Sequence, residues 1–242
     1  MRLFGKRPVI ERLRVAPKTI RRLVIQQETD ASDVVRAAGG AGQAFTSVTK
    51  QEFLKMAGDF HAQGVLAEVD EFRYSVFEDL LKQPAPRPSL FLLDRITDPQ
   101  NLGNILRTVA CFGEIALVIP KHESAEVNET VLRIACGGEN YVPVALVTNL
   151  VRACELAKKA GYWIAGAAID SGENLYTADW PTPLAVIIGS EGSGIRPGLE
   201  KQLELTLTLP MPGAPLSFNV ATAAALIASE ITRRRLQRGL TP

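Results

Sequence analysis

Between residues 89 and 210 the sequence carries runs that are apolar at nearly every position: SLFLLD (89–94), IALVIP (115–120), YWIAGAAI (162–169) and LAVIIG (184–189), with LELTLTLP (203–210) following. A strand with one face in water alternates apolar and polar residues, so continuous runs require burial on both faces. Helical patterns separate them, at about 102–112, 128–133 and 149–160, and a long one at about 219–237 closes the chain. Strand and helix in turn, with both strand faces covered, predict an α/β fold built on a parallel sheet.

Upstream, KQPAPRPS (82–89) carries Pro84, Pro86 and Pro88. These lack backbone donors and favour extended geometry, so the stretch reads as a semi-rigid linker. Residues 1–81 before it read as a small α/β unit, with helices at Pro8–Leu13, Ser32–Ala38 and Lys50–Ala57 and strands at Leu23–Gln26, Ala44–Val48 and Val65–Val69. The expected division is 1–81, a linker at 82–89, and a larger domain at 90–242.

Several function classes drop out on composition. No apolar run approaches the ~20 residues that cross a bilayer, and no apolar signal core opens the chain. Cys111, Cys136 and Cys154 are odd in number and form no C-x-x-C pair, and His61 and His122 are the only histidines. Neither a disulfide framework nor a metal site is expected, and a reducing cytoplasm fits. The net charge of +1 hides a basic N-terminus, where residues 1–22 hold eight Lys/Arg against Glu11 alone, and a second cluster at Arg233, Arg234, Arg235 and Arg238. Such clusters either meet phosphates or form a solvated basic face.

Ligands of open α/β sheets bind beyond the carboxyl ends of strands. Three loops lie there. In the first, Asp98 and Pro99 form a turn, Asn101 is the expected helix N-cap, and Gly103 precedes Arg107 by one turn, leaving the guanidinium unshielded. A cation near a helix start opposes the macrodipole, which points to an anionic ligand or to a nearby acid such as Asp94. The second loop, GSEGSG (189–194), exposes backbone donors but fits neither the dinucleotide fingerprint nor a P-loop. The third, Met211 to Leu216, leads into Ser217-Phe218-Asn219 at the head of a helix rich in small residues, where Ser217 or Asn219 also reads as an N-cap.

Taken in order, D-x-x-x-D-P-x-N-x-G-x-x-x-R (94–107), IIGSEGSG (187–194) and LPMPGAPLSFNV (209–220) resemble the three motifs of the SpoU/TrmH family of the SPOUT class of methyltransferases. The likeness covers 90–238. GKRPVIERL (5–13) and HAQGVLAEV (61–69) are similar to the ribosomal-protein-like RNA-binding domain of many relatives. The resemblance implies methyl transfer from S-adenosyl-L-methionine to a ribose 2′-oxygen of RNA, a homodimer, a C-terminal trefoil knot, and no metal. It places Asn101, Arg107, Glu191, Ser217 and Asn219 in the active site. It gives the cofactor to Gly189, Ser190, Glu191, Gly192, Leu209, Met211, Leu216 and Phe218. Family accounts make the counterpart of Arg107 the base. A guanidinium stays protonated, so a clamp on phosphate or alkoxide is the physical reading. Two departures stand out: Ser217-Phe218-Asn219-Val220-Ala221 replaces the usual S-L-N-V-S, and Ala135-Cys136-Gly137-Gly138-Glu139 strays from Ser/Ala-Gly-Ala. The two-domain layout favours large-subunit ribosomal RNA, with transfer RNA second. A non-catalytic RNA-binding protein that kept the fold is the rival from another class. A nicotinamide dehydrogenase fails for want of a Gly-rich turn after an early strand.

Overall fold

Alternation along the strands sorts the apolar residues into separate clusters. The computed structural model describes residues 1–58, 62–169, 171–190, 192–214 and 216–239. In the N-terminal unit the elements are β1 (Arg2–Phe4), α1 (Lys6–Val15), β2 (Ile20–Gln26), α2 (Ser32–Ala41), β3 (Thr46–Val48), α3 (Lys50–Ala57) and β4 (Val65–Val69). Its sheet has the order β1-β4-β2-β3, antiparallel except for the β2–β3 pair. Leu3, Leu23, Ile25, Val65 and Ala67 point to α1 and α2. Their neighbours Phe4, Val24 and Leu66 point the other way, to Phe53 and Ala57 of α3, as the two-residue period of a strand demands. A capping box between Thr49 and Glu52 starts α3. His61 lies outside the described residues.

The chain continues with α4 (Phe77–Leu81), β5 (Ser89–Leu93), α5 (Pro99–Phe112), β6 (Ile115–Pro120), α6 (Glu129–Ala135), β7 (Val144–Val147), α7 (Leu150–Lys159), β8 (Trp163–Ala168), β9 (Glu173–Asn174), β10 (Leu184–Ile188), α8 (Pro197–Glu200), β11 (Leu205–Thr208) and α9 (Val220–Gln237). The second sheet has the order β7-β6-β5-β10-β8-β11-β9 with every pairing parallel. Phe91, Leu93, Leu117, Ile119, Val186 and Ile188 face α5, α6 and α9. Leu90, Leu92, Val118, Ala185 and Ile187 face α4, α7 and α8. The parallel α/β architecture expected for this half is what the structure has.

Residues 77–81 belong spatially with the second sheet. Phe77, Leu80 and Leu81 of α4 are buried in the cluster that includes Leu90, Ala145 and Leu150, although α4 precedes the Pro-rich stretch. Across the two units, Arg2 grips Glu129 with both Nε and Nη2 (3.1 and 3.0 Å). The Tyr141 hydroxyl donates to Glu11 at 2.7 Å, and Arg12 pairs with Glu139 at 3.3 Å with both side chains buried. A Cβ on Gly137 would lie 2.5 Å from the Cβ of Glu11, so α1 rests directly on that glycine.

Candidate active site

In a parallel sheet all carboxyl ends share one edge, and here the three loops meet at that edge. The first leaves β5 at Asp94, which is fully buried. Its carboxylate accepts the backbone N–H of Arg196 at 3.0 Å and Arg196 Nε at 2.6 Å, with Arg95 Nε at 3.5 Å. Arg95, at φ +57°, also donates Nη2 to the carbonyl of Gly194 at 3.0 Å. The end of the first loop is thereby clasped to the end of the second. A buried carboxylate is costly unless paired and hydrogen-bonded, and here both needs are met. Asp94 therefore serves the loop clasp rather than pairing with Arg107.

Helix α5 begins three residues earlier than expected. Asp98 is its N-cap, accepting Gln100 N–H at 2.8 Å, and Pro99 takes the first helical position. An acidic cap followed by Pro is a stronger start signal than Asn101. Arg107 consequently sits in the third turn, beyond reach of the terminal dipole, and the electrostatic argument for its misplacement does not hold. Gly103 also has a different role from clearing space around Arg107. A Cβ there would stand 2.7 Å from the Cβ of Ile134 and 3.1 Å from the carbonyl of Val131, so it allows α5 and α6 to cross closely. Arg107 itself is exposed, and its guanidinium makes no hydrogen bond or ion pair with a described residue.

The second loop doubles back tightly. Ser190 and Gly194 form an isolated antiparallel bridge, closed by Gly194 N–H to Ser190 O at 3.0 Å. A Cβ on Gly189 would fall 2.3–2.5 Å from backbone atoms of Gly194 and Ile195. The Ser190 and Ser193 hydroxyls lie 2.9 Å apart. Glu191 lies outside the described residues.

Between this loop and the third opens a cleft. Strand ends form its base through Ile169, Ile188 and Thr208; Gly189, Ser190, Leu209, Met211, Ser217 and Phe218 line it, and Ala223 and Ile227 of α9 close the back. Leu216 stands in an adjoining hollow with Pro210 and Met211 and is 74% exposed. Asn219 caps α9 by accepting Ala221 N–H at 2.9 Å, and its Nδ2 donates to Asn101 Oδ1 at 2.9 Å. Six of the expected residues thus converge on one cleft, and Asn101 and Asn219 bridge the first and third loops beside it. Arg107 and Gly192 do not line it. Ile169, Thr208 and Ala223 went unread in the sequence, although the rule that ligands sit beyond strand ends points to the first two.

Apolar walls beside strand-end backbone donors and acceptors suit a flat heterocycle carrying a thioether-like chain. Leu209, Met211 and Phe218 supply the walls, and the Gly189–Ser190 backbone supplies polar atoms without side-chain bulk. Among the described residues no group of three or more His, Cys, Asp or Glu is placed to hold a metal, and no helix is long and apolar enough to cross a membrane. Burial pushes the Cys154 thiol up to about 12, so it is an inert core residue.

A parallel sheet with three convergent loops at its carboxyl edge, behind a small mixed-sheet unit, defines an α/β protein whose ligand site lies beyond the strand ends. The chain belongs to the SpoU rRNA methylase family, whose profile matches residues 88–229. A second profile, for RNA 2′-O ribose methyltransferase substrate binding, matches residues 2–75. Among curated relatives, the 23S rRNA (guanosine-2′-O-)-methyltransferase of Pseudomonas aeruginosa is 32% identical, covering 97% of this chain and 96% of its own. That of Neisseria meningitidis is 34% identical over 97% and 95%. A SpoU methyltransferase from Streptomyces viridochromogenes, solved with AdoMet, shares the fold with a TM-score of 0.79 at 21% identity, covering 98% of this chain and 91% of its own.

Proposed function

We propose that this chain methylates a ribose 2′-hydroxyl of large-subunit ribosomal RNA, acting in the cytoplasm as a metal-free homodimer with S-adenosyl-L-methionine held in the cleft between the second and third loops. The observation that carries the reading is the convergence of Gly189, Ser190, Leu209, Met211, Ser217 and Phe218 on one apolar-walled cleft. When bound, the cofactor supplies a methyl group on a sulfonium, already a good leaving group. What remains for the protein is to orient a weakly nucleophilic hydroxyl and ease loss of its proton.

Ser217, inside the cleft, and Asn219, fixed by Asn101, orient the nucleotide. Arg107 clamps its phosphate or stabilises the developing alkoxide, and Glu191 positions that arginine. What supports the dimer is the incompleteness of one copy. Arg107 lies outside the cleft with its guanidinium uncommitted among the described residues, and Leu216 and Phe218 leave apolar surface beside the cleft in solvent. A second copy that covers Leu216 and Phe218 and brings the partner's Arg107 to the cleft completes the site. The trefoil knot is part of the same reading, supported by the late strand β10 lying between β5 and β8.

The test is methyl transfer from labelled S-adenosylmethionine into separate pools of unmodified ribosomal and transfer RNA, with nucleoside mass spectrometry of the product. A 2′-O-methyl label in ribosomal RNA is expected, and label only in transfer RNA reassigns the substrate. No label in either pool, with cofactor still bound, overturns the catalytic reading in favour of a retained RNA-binding fold. Arg107→Ala is expected to abolish turnover while calorimetry finds cofactor affinity nearly unchanged; loss of cofactor binding in that variant removes the clamp assignment.

A further inference from the structure

At the opposite edge of the large sheet, where β5 and β10 begin, lies a second cavity of about 550 Å³ that methyl transfer leaves unused. Its floor is apolar, from Pro183, Leu184 and Ile231, and Trp180 stands in its wall. Arginines converge on it from two distant parts of the chain: Arg87 from the Pro-rich stretch, and Arg234, Arg235 and Arg238 from the end of α9. Arg233 and Arg234 share one carboxylate, Glu230, and Arg235 pairs with Glu114 at 3.3 Å. Among the described residues Arg87 donates only to the carbonyls of Gln83 and Ala160, and Arg238 donates to the Thr182 hydroxyl at 3.1 Å.

Carbonyl and hydroxyl partners orient a guanidinium without cancelling its charge. Four arginines line the cavity, and only Arg234 and Arg235 among them pair with carboxylates, those of Glu230 and Glu114. Helix-end arginines facing a C-terminal dipole account for Arg234 and Arg235. They do not account for Arg87, which arrives from another segment, or for the open hollow between Arg87 and Arg238. A second observation points the same way. Trp180 is 3% exposed, Arg234 covers one face of its ring at 4.4 Å, and its indole N–H is buried without an acceptor. Trp180 and Arg234 thus form one wall of the hollow, so a ligand that enters it meets an aromatic ring as well as guanidinium groups.

We propose that this cavity binds a nucleotide, its phosphate between Arg87 and Arg238 and its base on the apolar floor. The choice of a nucleotide over other phosphate-bearing ligands rests on the RNA reading above. Helix α9 links the two sites: Ala223 lines the first cleft and Arg238 follows the helix's last residue, about 22 Å further on at 1.5 Å per residue. The nucleotide is therefore either part of the RNA strand that reaches the first cleft or a free mononucleotide.

The experiment uses the full chain with Trp163→Phe, so that Trp180 is the sole tryptophan, and follows its fluorescence during titration. The probes are uridine 5′-monophosphate and a hexauridylate, which carry neither the adenine nor the methionine of the cofactor, each at several salt concentrations. A saturable change is expected, weakened about tenfold or more by Arg238→Ala, with the hexamer's log–log salt slope reduced by about one. Ala85→Glu on the exposed rim should weaken binding without touching any arginine. Tighter binding of the hexamer assigns the site to the RNA strand, and equal binding of both probes assigns it to a free nucleotide. No response to either probe, or unchanged affinity in both variants, overturns the proposal. Because no methyl transfer is measured, this result and that of the transfer assay fail independently.

Discussion

Gly189 shows how a single missing atom shapes this site. The nearest obstacles to a Cβ there are the backbone of Gly194 and Ile195 at 2.3–2.5 Å, and that backbone is pinned by Arg95 and by Asp94 through Arg196. Neither side can yield cheaply. Gly189→Ala is expected to cost about 1–3 kcal/mol in stability, as overpacking does, and to abolish S-adenosylmethionine binding by calorimetry; tight binding in that variant contradicts the role given to the loop. At this scale the sequence was legible where a residue type is itself the signal, as with the glycines of 189–194 and the cap residue Asn219. It was silent where a partner lies far along the chain. Asp94 and Arg196 stand 102 residues apart, and no local pattern joins them, so the sequence offered Asp94 only as one alternative partner for Arg107.

Helix ends decide how the elements present these residues. Asn219 has two duties, capping α9 and holding Asn101. Asn219→Ala should cost about 1 kcal/mol from the lost cap alone, seen as a lower urea midpoint, whereas Asn101→Ala, which leaves the cap intact, should shift that midpoint less. Equal shifts would mean the bridge rather than the cap carries the stability. The long two-faced strands and the long helices α5, α7 and α9 were legible because burial on both faces leaves an unbroken apolar run. Five of the short elements were not. β1, α4, β7, β9 and α8 span two to five residues each, too few to display a period, and their places are set by neighbours. The start of α5 was misjudged because Asn101 was preferred over the Asp98–Pro99 pair.

At the scale of the whole molecule the junction between the two units is tighter than the Pro-rich stretch implies. Glu139 is buried against Arg12, and burial raises its carboxyl above the ordinary 4.5 despite that arginine. A folded-state carboxyl held high keeps a proton that the unfolded chain has already released. Stability should therefore fall as pH climbs from 4.5 through the raised value. Glu139→Gln should remove that slope from a stability–pH profile, and an unchanged slope assigns it elsewhere. Division of the chain has a matching consequence. Since α4 packs on the second sheet, a chain of 71–242 should melt higher than one of 90–242, and both should modify RNA poorly while binding cofactor. Full activity in either removes substrate recognition from the N-terminal unit. The connection at 70–75 is itself fastened, by Asp70 N–H to Thr19, Val127 N–H to the Tyr74 hydroxyl and Ser75 N–H to Val144. Gly138, one residue before Glu139, touches the backbone of Arg107, with only 3.0 Å left for a Cβ. The interval between whatever RNA feature the first unit grips and the nucleotide that Arg107 meets is thus set like the jaws of a caliper. Residues inserted into 82–88 would lengthen the chain without moving the mark.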